Sequence, residues 1–327
     1  MTVDIHHGLN RIFFISWFLN RYPPRLACTV HTTAVQRAAH RHQIAGDPLL
    51  LHQPREVVGG IAFPHGGEVD KQIGNIFLQD THLKLPKMSA IKIKLHRQIP
   101  SDWKLKSVTV SREPSGKYFA SLLFCCESQT VEKSPAEKFL GIDFAMRGMC
   151  VFSTGERAGY PMFYRKAEKK LAREQRKLSY CEKGSRNYQK QKKRIALCHE
   201  KIKNQRKDFQ HKLSRGLAER YDAVCVEDLN LKGMSGGLHL GKGVQDNGYG
   251  QFLSMLGYKL EERGKNLIKV DRYFASSKIC SVCGHKKKKL ALSDREYVCE
   301  CGNRMDRDVN AAVNIREEGK RLYKECA

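Results

Sequence analysis

The chain has 327 residues, 41% of them hydrophobic, which is enough for two or three domains with cores of their own. Lysine and arginine number 59 against 34 acids, a formal charge of +25 that favours a polyanionic partner, most often nucleic acid. Charge alone would fit a ribosomal or membrane-surface role equally, but no run approaches the ~18 apolar residues of a membrane-spanning helix.

Residues 1–70 are rich in His, Pro and Gly and hold no sustained period. They are left unassigned, as a segment that is disordered or foreign to the rest. Their most apolar stretch, "RIFFISWFLN" (11–20), has no basic run before it and no small-residue cleavage site after it, so it is a poor signal peptide.

Between 71 and 136 the pattern becomes regular. "IKIKLHRQI" (91–99) alternates apolar and basic residues, which puts an apolar face on one side of a strand. Two further strands flank Pro114-Ser115-Gly116, a hairpin signal. The expectation is a small antiparallel β unit with a basic outer face.

From 137 to 274 the sequence predicts an α/β domain. "FLGID" and "MCVFS" read as strands joined at Arg147-Gly148, and "YDAVCVEDLNL" (221–231) reads as another buried strand. Between them, 164–220 is a long basic helical stretch broken near Lys183-Gly184-Ser185, a helical hairpin. Leu171, Leu178, Ile195, Leu197, Ile202, Phe209 and Leu213 supply its apolar seam. Acids are few there, so ion pairing cannot neutralise the surface. Lys169, Arg173, Arg176, Lys190, Lys193, Arg194, Lys203 and Arg206 are therefore candidate phosphate contacts. A Gly-rich loop (233–250), a helix and a strand, "NLIKVDRY", complete the domain.

Three acids sit at strand ends or on a helix about 80 residues apart: Asp143, Glu227, and Asp306 or Asp308. Each lies beside apolar residues, and a buried charge is costly unless it is paired or holds a metal. Converging, they would suit a hard divalent cation such as Mg²⁺, and two such ions can hydrolyse a phosphodiester. In "DVNAAVNI", Asp308, Ala311, Ala312 and Ile315 share a helical face, and the alanines let the helix approach a sheet closely. Asp306 is assigned as the N-cap and Asp308 as the ligand. The arrangement fits an RNase H-like sheet.

Eight of the twelve cysteines are scattered and read as buried thiols. The other four, Cys280-x2-Cys283 and Cys299-x-Cys301, form two knuckles that suit a closed tetrahedral Zn²⁺ site over 275–302. Gly284 and Gly302 follow the knuckles and permit the tight turns. The final segment, 303–327, then carries Asp308.

"GIDFAMRG", "VEDLNLKGM", "VDRYFASSKICSVCG" and "CECGNRMDRDVNAAVNI", in this order, resemble the OrfB/TnpB proteins of bacterial insertion sequences, relatives of the type V CRISPR effectors. The resemblance covers about 85–325 and implies a transposon-encoded, RNA-guided DNA endonuclease with a RuvC-like domain. It puts the catalytic, Mg²⁺-binding acids at Asp143, Glu227 and Asp308, and structural Zn²⁺ on Cys280, Cys283, Cys299 and Cys301. Residues 71–136 are similar to part of that family's oligonucleotide-binding barrel, the wedge domain. The partners implied are DNA and a guide RNA from the same element, in a bacterial or archaeal cytoplasm at the nucleoid. Residues 1–70 match neither the opening strand nor the recognition domain of that family. The alternative is therefore a DNA- and RNA-binding remnant that cannot cleave. A transcription-type zinc-ribbon protein would leave the three acids unexplained.

Overall fold

Alternating side chains, and acids placed at strand ends, need a sheet to give them meaning, and the described residues form three. In the computed structural model, the described residues are 11–19, 56–62, 72–73, 76–96, 98–126, 131–133, 135–236, 241–291 and 293–326. The chain divides into two units, 1–130 with 178–197, and 131–177 with 198–327.

The first unit is an eight-stranded sheet. Its strands are β1 (Arg11–Leu19), β2 (Glu56–Ala62), β3 (Gln72–Ile73), β4 (Ile76–Gln79), β5 (His82–Lys84), β6 (Ile91–Lys94), β7 (Lys104–Arg112) and β8 (Tyr118–Cys126). They lie in the order β2-β7-β8-β1-β6-β5-β4-β3, and every neighbouring pair is antiparallel. Ile76, Leu83, Ile93, Leu122 and Phe124 form its core. The hairpin turn falls at the expected place, with the Gly116 N–H donating to Glu113 O at 2.8 Å. Two strands come from the segment without a sequence period: β1 pairs along its length with β8, and β2 with β7. The other residues of 1–70 lie outside the described residues.

This unit also holds the tip of the helical hairpin. Helices α1 (Phe163–Ser179) and α2 (Arg186–Arg220) are separated where the sequence places the break. Ser185 Oγ accepts the Tyr188 N–H at 3.1 Å and caps α2. Leu171, Ile195 and Ile202 are buried as the seam requires. Leu197 is not; it is 41% exposed, because residues two apart on a helix do not share a face and Ile195 already takes the inward position.

The second unit is built on four strands, β9 (Phe139–Ala145), β10 (Met149–Phe152), β11 (Ala223–Glu227) and β12 (Asn266–Val270), in the order β10-β9-β11-β12. β10 is antiparallel to β9, while β11 runs parallel to both β9 and β12. Four more helices and a further strand pair follow: α3 (Leu231–Gly236), α4 (Gly241–Asn247), α5 (Tyr249–Glu261), β13 (Glu296–Val298), β14 (Arg304–Asp306) and α6 (Arg307–Cys326). Leu140, Ile142, Val224 and Val226 pack with Phe252 and Leu256 of α5, whereas Cys225 and Val270 pack with Ile315 of α6. The sheet is thus sandwiched between two helices, which its continuous apolar strands demand.

Two expectations are corrected. The Gly-rich stretch 233–250 is not a loop: its described residues carry α3, α4 and the start of α5, because Val244, Asp246 and Asn247 are buried and their tertiary contacts override the weak helix propensity of glycine. The cysteine-bearing module also extends past 302, since β14 pairs with β13 before α6 begins.

The packing of α6 depends on Gly141. A Cβ built there would stand 1.9 Å from the Ala312 carbonyl oxygen and 2.8 Å from the Arg316 nitrogen. Gly141→Ala is therefore expected to destabilise the protein by about 3 kcal/mol, because backbone has to move. Urea unfolding would check this, and an unchanged midpoint would refute so close an approach.

Candidate metal centres

Asp143 lies in the middle of β9, Glu227 is the last residue of β11, and Asp308 is in the first turn of α6. The parallel pairing of β9 with β11 points both strands the same way, so their acids emerge toward one end of the sheet. Close packing of α6 on β9, through buried Ala311 and Ala312, delivers Asp308 to the same place. The electrostatics record this convergence. Burial, together with the charges of Asp308 and Glu227, pushes the Asp143 carboxyl up to about 7, while Arg307 opposes them. Burial also raises Glu227.

The neighbouring acids have other tasks. Asp228 turns to Arg272 at 2.9 Å and Lys269 at 3.5 Å. Asp306 Oδ1 accepts the N–H groups of Asp308 (2.9 Å) and Val309 (3.1 Å), so it is the N-cap that its position suggests. Two cations absent from the sequence reading flank the acids. Arg157 reaches Asp306 at 2.8 Å and Asp308 at 3.8 Å, and Arg307 stands 3.6 Å from Asp308. The β-bridge between Val151 and Arg157 brings Arg157 there, and Val151 is the register partner of Asp143. No local motif marks it.

The four cysteines gather tightly, with all four sulfurs within 4.8 Å of one another. Cys280 and Cys301 are 3.7 Å apart, and Cys283 and Cys299 are 3.6 Å apart. Sulfurs ~2.3 Å from a tetrahedral metal would be separated by about 3.8 Å, so these spacings fit S₄ coordination. Gly284 and Gly302 have φ of +76° and +89°, as the knuckle turns require. Asn303 donates to Cys280 Sγ at 3.3 Å, and buried Tyr297 donates to Lys278 O at 3.0 Å beneath the knuckles. Among the described residues, this is the group of ligating side chains drawn so close; Asp143, Glu227 and Asp308 are more widely spread.

Of the eight candidate phosphate contacts, Lys169, Arg173, Arg176, Lys190, Lys193 and Arg194 are exposed and Lys203 is half-buried. Arg206 is committed elsewhere: its guanidinium donates to Gln245 O at 2.6 Å.

Comparison with known proteins agrees with this organisation. Residues 123–237 match the OrfB_IS605 family, described as "Probable transposase", and 249–315 match the Cas12f1-like TNB domain. The class so defined is the OrfB/TnpB group, and the chain resembles it throughout the second unit. A Streptomyces pristinaespiralis protein named "Putative RNA-guided DNA endonuclease" is 38% identical over 70% of this chain and 56% of its own length. InsQ of Escherichia coli K12, which carries the same description, is 30% identical over 79% of this chain and 65% of its own length. This chain therefore spans less than two thirds of these relatives. A solved Cas12f1–sgRNA–target DNA complex aligns with TM-score 0.49 and 19% identity, over 69% of this chain and 52% of that one. No helix among the described residues is long and apolar enough to cross a membrane.

The raised Asp143 carboxyl makes a prediction about stability. Its folded pKa of about 7 lies above the ordinary 3.8, so its contribution to stability is complete below pH 3.8 and is lost as pH rises through 7. Asp143→Asn should then stabilise the protein at pH 8 in Mg²⁺-free buffer, by up to about 4 kcal/mol, and have little effect at pH 4. Thermal melts at the two pH values would check this, and equal shifts at both would refute it.

Proposed function

We propose that the chain is the nuclease portion of a transposon-encoded, RNA-guided DNA endonuclease that hydrolyses phosphodiesters at Asp143, Glu227 and Asp308. The observation that carries this reading is the convergence of three acids from β9, β11 and α6, two of which raise the third by their charge. Structural sites rarely gather like charges in this way. The β10-β9-β11-β12 order, with β10 antiparallel and α6 on one face, supports an RNase H-like, RuvC-type domain. The relatives' names supply the RNA guide and the DNA target.

Asp143, Glu227 and Asp308 would hold Mg²⁺, the hard cation that oxygen ligands prefer. When bound there, such ions would supply an activated water and positive charge for the leaving oxygen of a phosphodiester. The protein's own groups do the rest. Burial, with the charges of Asp308 and Glu227, holds the Asp143 carboxyl up at about 7, so positive charge arriving at the site would favour its ionised form. Asp306 fixes the first turn of α6, and Arg157 and Arg307 balance the acids. Cys280, Cys283, Cys299 and Cys301 would bind Zn²⁺ as a closed structural site with no open position for substrate. The exposed lysines and arginines of α1 and α2 would face phosphates of RNA or DNA. The eight-stranded sheet would serve as the oligonucleotide-binding wedge, in a protein of the prokaryotic cytoplasm.

The test is plasmid cleavage in Mg²⁺ with the RNA of the same locus co-expressed. RNA-dependent cleavage is expected, lost in Asp143→Ala while RNA affinity is unchanged. A folded, zinc-loaded protein that binds nucleic acid without cutting it would favour the binding remnant. The basic helices make a further prediction: with about six phosphate contacts, affinity should fall roughly a thousandfold between 50 and 200 mM salt. A flat salt response in a filter-binding assay would remove the helices from the interface.

A further inference from the structure

We infer that Asn247 and Tyr249 are positioning residues that set the placement of Asp143 by gripping the backbone at the end of its strand. The inference rests on the nuclease reading and goes beyond it, because neither residue carries a ligand for the metal.

The segment "QDNGYG" (245–250) lies where α4 meets α5 and is unusually polar for a buried one. Tyr249 is 1% exposed and donates its hydroxyl to Ala145 O at 2.7 Å. Asn247, equally buried, donates its side-chain amide to Met146 O at 3.2 Å and to the Tyr249 hydroxyl at 2.6 Å. Ala145 is two residues beyond Asp143 on the same strand, and Phe144 between them packs edge-on against the Tyr249 ring, with centroids 5.0 Å apart. The carbonyls at the end of β9 thus find their partners in these two side chains, and with them the direction in which Asp143 leaves the sheet.

The grip is itself braced. Gln210 of α2 donates to Asn247 O at 2.7 Å, and Arg206 donates to Gln245 O at 2.6 Å. Asp246 accepts the Tyr164 N–H at 3.1 Å and the Tyr160 hydroxyl at 3.0 Å, which caps the first turn of α1. Buried hydrogen bonds of this kind hold one geometry, because each broken one strands a polar group away from water. Their invariance of geometry is what a carboxylate needs in order to meet a metal at the right distance and angle. Outer-shell partners of metal ligands commonly matter by 10- to 100-fold.

Tyr249→Phe removes one hydroxyl and leaves the ring in its packing. The full chain, zinc-loaded, should bind Mn²⁺ (as a spectroscopic stand-in for Mg²⁺) on the order of tenfold more weakly in this variant. The Mg²⁺ concentration for half-maximal cleavage should rise by a similar factor. Nucleic-acid affinity should stay at the wild-type value, and so should zinc content. Asn247→Ser, which retains a donor but shortens its reach, should fall in the same direction and provides a second variant if the first misfolds. Wild-type Mn²⁺ affinity and Mg²⁺ dependence in both variants would overturn the inference while leaving the nuclease reading intact. A wild-type protein that binds no Mn²⁺ at the Asp143 centre would overturn both. A variant whose melting point falls with no change in Mn²⁺ affinity would show a merely structural role and overturn the inference.

Discussion

The contact on which most of the second unit depends is the seating of α6 against β9. Gly141 has no Cβ, Ala311 and Ala312 are fully buried, and so helix backbone meets strand backbone with almost nothing between. Gly319, farther along the same helix, comes equally close to Cys225 of β11, so the helix is held at two points. Two points fix a line, and a line across the sheet fixes where the first turn of the helix lands. Larger side chains at these positions would lift α6 by a fraction of a helix radius, and Asp308 would move with it. The acid's position is in this sense a consequence of residues that carry no charge at all.

Bringing the acids together opposes folding. Asp143 is buried among apolar neighbours, and its two companions raise its pKa further. The protein offsets part of that cost with cations placed outside the cluster: Arg307 on the helix itself, and Arg157 from the bridge beside β10. Both lie toward Asp308, in the first turn of α6. Asp143, at the inner end, has no such partner close enough to be drawn as an ion pair among the described residues. That asymmetry follows from the architecture: Asp143 lies on a strand flanked on both sides, whereas Asp308 opens a helix and Arg157 comes from the bridge beside the edge strand β10.

Much of this was legible in the sequence where chemistry and spacing coincide. Asp306 as cap followed from one capping preference, and the hydrogen bonds agree. Gly184 and Ser185 announced the break between α1 and α2. The paired knuckles announced a cluster of four sulfurs. What was hidden has a common cause, namely partners distant in sequence. β1 finds its neighbour β8 about a hundred residues away, so its run of apolar residues carries no local sign of pairing. Arg157 meets Asp306 across 149 positions. In 233–250 the glycines spoke for a loop, yet buried hydrogen bonds from α1 and α2 hold it as helix. Arg206 looks like its basic neighbours on α2 until its carbonyl partner on α4 is seen.

Asp306 shows how the cysteine module and the acidic centre are joined. Its backbone belongs to β14 and pairs with Glu296 of β13, inside the module whose shape the four sulfurs set. Its side chain caps α6, and the same carboxylate takes Arg157 from the sheet edge. Only one residue separates it from Asp308. Any rotation of β14 about its own axis would therefore break the cap, loosen the first turn and release the Arg157 contact together. The four-cysteine cluster and the cluster of acids are chemically unlike, but they share this one residue as a link. The geometry of the second is consequently only as firm as the closure of the first.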